Sequence, residues 1–112
     1  MVPGREAARL RRRAAVFAAL GDPTRLDVVA LLARGDAQSI SRLTARGALT
    51  RQAVTKHLRV LERAGLVRRT RAGRETHFAL DPAAVTDARE ALDAISRQWD
   101  DALARLQAFV ER

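Results

Sequence analysis

The sequence predicts a mainly α-helical domain carrying one small β-hairpin, with elements in the order α-α-α-α-β-β-α. Three observations predict it. Apolar residues recur every three or four positions over most of the 112-residue chain, the period of helices with one buried face. The period shortens towards two over residues 66–80, as in strands. Glycines and short polar residues fall between these segments, at Gly21-Asp22-Pro23, Gly35, Ser39, Gly47, Thr50 and Gly65. Such residues cap helix starts and end helices.

Residues 5–20 make the first helix, with Leu10, Ala14, Phe17 and Leu20 as its stripe and Gly21 as its stop. Arg9 and Arg11–Arg13 lie mostly off the stripe and read as a solvated face. Asp22 caps the second helix, and Pro23 suits its first position, where a missing amide costs nothing. Leu26, Val29, Leu32 and Ala33 are expected to face inward before the helix ends near Gly35. Ser39 caps a short third helix with Ile40 and Leu43 buried; Gly47 ends it, and Ala48-Leu49 makes a tight connection. The fourth helix, 49–64, has Thr50 as N-cap, and Val54, Leu58 and Leu61 at i, i+4 and i+7 form its buried back. Gln52, Thr55, Lys56, Arg59 and Arg63 fall off that stripe, and Gly65 supplies the left-handed residue that closes the helix. Two short helices joined by a glycine-containing turn are a helix-turn-helix.

Residues 66–70 and 75–80 then alternate as two short strands around Arg71-Ala72-Gly73-Arg74, a hairpin with a basic tip. Behind a helix-turn-helix such a hairpin is a wing, so the fold class is a winged helix-turn-helix. Asp81-Pro82 opens a long last helix, 83–110. Its stripe of Val85, Ala88, Leu92, Ile95, Trp99, Leu103, Leu106 and Val110 runs through about seven turns. A domain this small does not cover that stripe alone. The expectation is therefore a homodimer through the terminal helices. Leu10, Phe17, Leu92, Ile95, Trp99, Leu103, Leu106 and Phe109 are its interface candidates; large aromatic anchors are what interfaces use. The chain divides as a single domain, 1–112: helix 5–20 for dimerisation, 23–80 as core and wing, and 83–111 as the second dimerisation helix.

Charge gives the partner. Residues 1–80 hold 17 Lys/Arg against 6 Asp/Glu, whereas residues 81–112 hold 4 against 7. Residues 51–74 contain eight basic side chains and one acid, Glu62. All but one of the basic residues in the chain are arginine, the exception being Lys56. A basic helix face alone is usually just solvated. Directly ahead of a basic wing, it reads as a surface for double-stranded DNA, since the major groove admits a helix and Arg, Lys and Gln read base edges. The candidate DNA-binding residues are Thr50, Arg51, Gln52, Thr55, Lys56 and Arg59 from the helix, and Arg69, Arg71 and Arg74 from the hairpin. The hairpin suits phosphate or minor-groove contact. Two reading helices one DNA turn apart, ~34 Å, suit a palindromic operator.

Other classes lack their residues. The chain has no cysteine, so disulfides, thiolate metal sites and cysteine nucleophiles are excluded together. No apolar run approaches the ~20 residues of a membrane span. The apolar 14–20 stretch is short for a signal segment, and cytoplasmic location is expected. No nucleophile–His–carboxylate arrangement or glycine-rich phosphate loop is present, so neither enzyme activity nor a cofactor is expected. The two histidines, His57 and His77, lack carboxylates at ligand spacing, and no metal site is expected. Asp87, Glu90, Asp93, Asp100 and Asp101 read as a solvated helix face.

Three runs carry a resemblance: Ala19 to Leu26 (ALGDPTRL), Gln52 to Val67 (QAVTKHLRVLERAGLV) and Gly73 to Pro82 (GRETHFALDP). Over nearly the whole chain the sequence resembles the ArsR/SmtB family of winged-helix repressors. The resemblance implies a dimer that blocks transcription at a palindromic operator. It assigns base contacts to Gln52, Thr55 and Lys56, and places Arg51 and Arg59 near the DNA backbone. Family members that sense metals use a Cys-x-Cys pair in the third helix or Asp and His pairs on the last. Here the first region reads Ala37-Gln38-Ser39-Ile40-Ser41-Arg42 and the last helix has no histidine. The chain therefore looks like the branch without a metal site. An organic ligand, a protein partner or dilution of the repressor would each relieve repression, and the sequence does not choose among them. A non-specific nucleoid-type DNA binder and a pure interaction module are the alternatives.

Overall fold

The computed structural model describes residues 4–35, 37–45 and 49–111. In chain order the elements are α1 (Gly4–Leu20), α2 (Pro23–Ala33), β1 (Gln38–Ser39), α3 (Ile40–Ala45), α4 (Arg51–Arg63), β2 (Val67–Ala72), β3 (Glu75–Leu80) and α5 (Pro82–Val110). The strands form one antiparallel sheet in the order β1-β3-β2. The expected Gly47 stop and the Ala48 turn lie outside the described residues.

β1 is an addition to the sequence reading. It pairs Gln38 with Phe78 and Ser39 with His77, and two residues are too short to show a period. Ser39 has two roles, because its Oγ also accepts from the Arg42 amide at 3.2 Å and so starts α3.

The core gathers Val16 and Ala19 from α1, Val28 and Leu32 from α2, and Leu43 from α3. Val54, Leu58 and Leu61 of α4 meet them, closed over by Leu66, Val67 and Phe78. The α4 stripe is as expected. The inward faces of α1 and α2 are so only in part: Leu32 is buried, and Leu20 and Val29 pack against the core, as expected. Val16 and Ala19, rather than Leu10, Ala14 and Phe17, face the core of this chain; Leu10 is exposed and Phe17 half-buried. In α2, Val28 and Leu32 are buried while Leu26 and Ala33 are exposed. Both helices are apolar on more than one side, so spacing alone fits two registers and packing against neighbours decides between them.

The junction between α4 and β2 is tightly built. The Gly65 amide donates to the Glu62 carbonyl at 2.9 Å and the Leu66 amide to the Leu61 carbonyl at 3.1 Å, the two bonds of a Schellman close. Gly65 sits at φ +83 with nothing within 4 Å of where a Cβ would stand. Gly65→Ala is therefore expected to destabilise by about 1–2 kcal/mol, all of it backbone strain. The check is the shift in denaturation midpoint at unchanged slope.

α5 begins at the same junction. Asp81 donates its amide to the Leu66 carbonyl at 2.8 Å, and its carboxylate accepts from Ala83 and Ala84 at 2.9 and 3.4 Å. Ala84 and Ala88 pack on the core and Ala91 is buried. Past Ala91 the helix leaves the body, and every apolar side chain from Ile95 to Val110 is exposed.

An ion-pair cluster ties α1 to this root of α5. Arg13 forks onto Asp87, Nε to Oδ2 at 3.0 Å and Nη2 to Oδ1 at 2.9 Å. Arg9 adds longer contacts, 3.5 Å to Asp87 and 3.6 Å to Glu90. Arg9, Arg13, Asp87 and Glu90 are thus partnered, which corrects the expectation of solvated faces for these four, while Arg11, Arg12, Asp93, Asp100 and Asp101 are exposed as expected; residues 74 apart give no sequence signal of pairing. Hydrogen bonding from Arg13 holds the Asp87 carboxyl below the ordinary carboxylate range. A depressed folded value stabilises fully above the unfolded value of about 3.9, and that stabilisation is lost as pH falls from there through the folded value. Asp87→Asn should accordingly lower the melting temperature at neutral pH, and the gap from the parent protein should close as pH drops below about 4.

Candidate nucleic-acid interface

The face builds from α4. Thr50 has extended backbone, φ −73 and ψ 160, and its hydroxyl oxygen accepts from the Ala53 amide at 3.1 Å, so the first turn is capped. With Val54, Leu58 and Leu61 turned into the core, the opposite side must face solvent. Arg51, Gln52, Thr55, Lys56 and Arg59 together line one open depression of about 480 Å³. Arg51 also donates to Ser41 Oγ at 2.9 Å, which steers its guanidinium from α3. Ser41 is a positioning partner that the sequence did not single out. Gln52, Lys56 and Arg59 are exposed and form no ion pair among the described residues.

Thr55 differs from the expectation. Its hydroxyl donates to the Arg51 carbonyl at 2.8 Å, one turn back. The donor is spent, and only the oxygen's acceptor capacity and the methyl group remain for an outside partner.

The hairpin separates three arginines expected to act alike. Ala72 pairs with Glu75 across a tip of Gly73 and Arg74, with Gly73 at φ +65. Arg74 is exposed there, and Arg71 lies beside the turn with only a 3.4 Å contact to the Gly73 carbonyl. Arg69 is not free. Its Nε and Nη2 meet Glu62 Oε2 and Oε1 at 2.6 and 2.7 Å, and its guanidinium stands 5.5 Å from the centre of the Phe78 ring. Hydrogen bonding from Arg69 pushes the Glu62 carboxyl down. With two of its donors on Glu62, Arg69 offers an outside partner fewer donors than Arg71 or Arg74 does. The sequence shows the two charges seven residues apart, with a glycine turn between that hides their meeting.

His77 Nε2 lies 3.0 Å from Glu75 Oε2 on the same strand. Among the described residues no group of three His, Asp or Glu gathers closely enough to hold a metal ion, and no helix is long and apolar enough to cross a membrane.

The expected interface residues form a second surface. Leu10, Leu92, Ile95, Trp99, Leu103, Leu106 and Phe109 are all exposed, Trp99 at 66% and Phe109 at 69%. Phe17 is half-buried. Leu26, Val85 and Val110 add exposed apolar area outside the expected group.

Residues 20–70 match the family model of a helix-turn-helix domain. The chain is 42% identical over 66 residues to the HTH-type transcriptional regulator YuzN of Bacillus subtilis, a stretch covering 54% of this chain and 72% of that one. An ArsR-like transcriptional regulator from Rhodococcus sp. RHA1 superposes with a TM-score of 0.78 at 35% identity, covering 91% of this chain and 95% of its own. The chain belongs to the ArsR family of transcriptional regulators. A fold neighbour from Mycobacterium bovis, itself a homodimeric winged helix-turn-helix DNA-binding domain, gives a TM-score of 0.67 at 24% identity over 93% of each chain. As an ArsR-family regulator the protein carries a DNA-binding helix-turn-helix, of which α3 and α4 are the two helices and β2–β3 the wing.

Proposed function

We propose that the protein is a dimeric, sequence-specific repressor that acts at a palindromic operator without thiolate metal sensing. One observation carries the reading: Arg51, Gln52, Thr55, Lys56 and Arg59 share one open face on a capped helix whose back is locked into the core. In this reading Gln52 and Lys56 reach base edges, Thr55 offers its oxygen and methyl group, and Arg51 and Arg59 hold the flanking phosphates. Arg71 and Arg74 follow the phosphate backbone or the minor groove beside it. Residues 5–20 and 83–111 serve dimerisation and residues 23–80 serve DNA binding. The exposed stripe on α5, together with Leu10 and Phe17, takes a second copy of the chain; that a fold neighbour is homodimeric supports a dimer. Joined in this way, two reading helices meet successive major-groove faces about 34 Å apart. Bound over a promoter, the pair excludes polymerase.

The test is selection of duplexes from a random library, followed by titration of the recovered sequence against random duplex. Recovery of an inverted repeat bound about 10³-fold or more above random DNA is expected. Equal affinity for both would replace the repressor with a non-specific DNA-coating protein.

A further inference from the structure

The hairpin leaves α4 after only Ala64, Gly65 and Leu66, so the backbone at Gly65 sets the direction in which β2 departs. It does not set how far the hairpin leans. Val67 is the only buried residue of β2, and Arg68 to Ala72 are exposed. On the far edge β1 holds β3 at Phe78 and His77; beyond those pairs the hairpin is a two-stranded ribbon, which twists and bends readily.

Near the base of that exposed length stands Arg69. It shares a strand face with Val67 below and Arg71 above, and its cross-strand partner is Phe78. The fork onto Glu62, with contacts of 2.6 and 2.7 Å, fixes the guanidinium plane against α4. The buried Phe78 ring supports it from the side. Glu62 is also the one acid among residues 51–74. A negative charge there opposes DNA binding unless it contributes in another way.

We propose that Glu62 is a positioning residue for DNA binding: through Arg69 it sets the angle of the wing against α4, so that Arg71 and Arg74 reach the duplex when the helix lies in the groove. The proposal rests on the DNA-reading role given to α4 and the wing above. It places Arg69 inside the protein's own scaffold, and it makes an acidic side chain necessary to a basic surface.

Charge and geometry predict opposite signs, which makes the test decisive. The full-length protein is titrated onto a labelled duplex carrying the selected operator, from about 50 to 200 mM salt. Glu62→Gln removes a negative charge, so electrostatics alone would tighten binding. The clamp instead predicts binding about fivefold or more weaker, with a similar loss for Arg69→Gln and a double variant no worse than either single one. Glu62→Asp, which keeps the charge but shortens the reach, is expected to weaken binding as well. Arg74→Ala should lower the salt slope by about one in the parent protein and leave it unchanged in Glu62→Gln, because the tip is already displaced. Tighter or unchanged binding by Glu62→Gln, or losses from the two single variants that simply add, would overturn the clamp while leaving the DNA-reading role intact. A parent protein that bound no duplex would overturn both.

Discussion

Trp99→Ala is expected to yield a protein that sediments as a monomer at micromolar concentration and releases its operator. In the single chain the indole stands 66% exposed on a helix turn whose neighbouring residues are exposed as well. Leu92, Ile95, Leu103 and Leu106 continue the same stripe above and below it. A large aromatic at the middle of such a patch costs about 2–4 kcal/mol of association when truncated, or roughly 30- to 1,000-fold in the dimer constant. Since Trp99 takes no part in the core of its own chain, the variant should retain its helical circular dichroism while dissociating. Operator affinity should fall with it, because a single reading helix gains nothing from the second half-site. Sedimentation equilibrium and anisotropy on the same samples check both halves. An unchanged dimer, or a parent protein that is already monomeric, would remove α5 from the interface.

The second large effect concerns the reading face. Gln52→Ala and Lys56→Ala should each cost about 1–3 kcal/mol on the selected operator and little on random duplex, thereby eroding discrimination. Arg74→Ala should weaken binding to all sequences alike and flatten the salt slope by about one. The difference follows from position: Gln52 and Lys56 share the helix front with Arg59, whereas Arg74 is at the hairpin tip. Competition titrations at two salt concentrations separate the two classes. The same loss of specificity from helix and tip variants would show that they do not divide the work.

How much of this was legible in the sequence varied with how unambiguous the local pattern was. α4 could be read almost residue by residue. Thr50, the Val54-Leu58-Leu61 back and Gly65 are independent signals that agree, and the polar front follows from the apolar back by helix geometry alone. The hairpin was legible for a similar reason, since Gly73 and the alternation around it specify a tight turn. α1 and α2 were legible as helices but not in rotation. On α2, Leu26, Val28, Val29, Leu31 and Leu32 surround the axis, and contact with α1, α4 and the sheet selects Val28 beside the expected Leu32. Side-chain partnerships were the least legible. The composition supplies many arginines and several acids, yet only the fold shows that Arg13 meets Asp87 and Arg69 meets Glu62. The spent hydroxyl of Thr55 belongs to the same class, being a local choice between backbone and solvent that residue type does not settle.

The arginine-rich composition has a practical consequence at Lys56. Guanidinium groups resist acylating reagents that readily consume amines, and this chain offers one ε-amine among its 21 basic side chains. That amine stands on the open front of α4. An activated ester will therefore tag one side chain, at the centre of the surface on which the regulator's function is proposed to depend. Bound duplex should shield it, and the extent of labelling at Lys56, read apart from that of the terminal amine, then reports occupancy without any engineered handle.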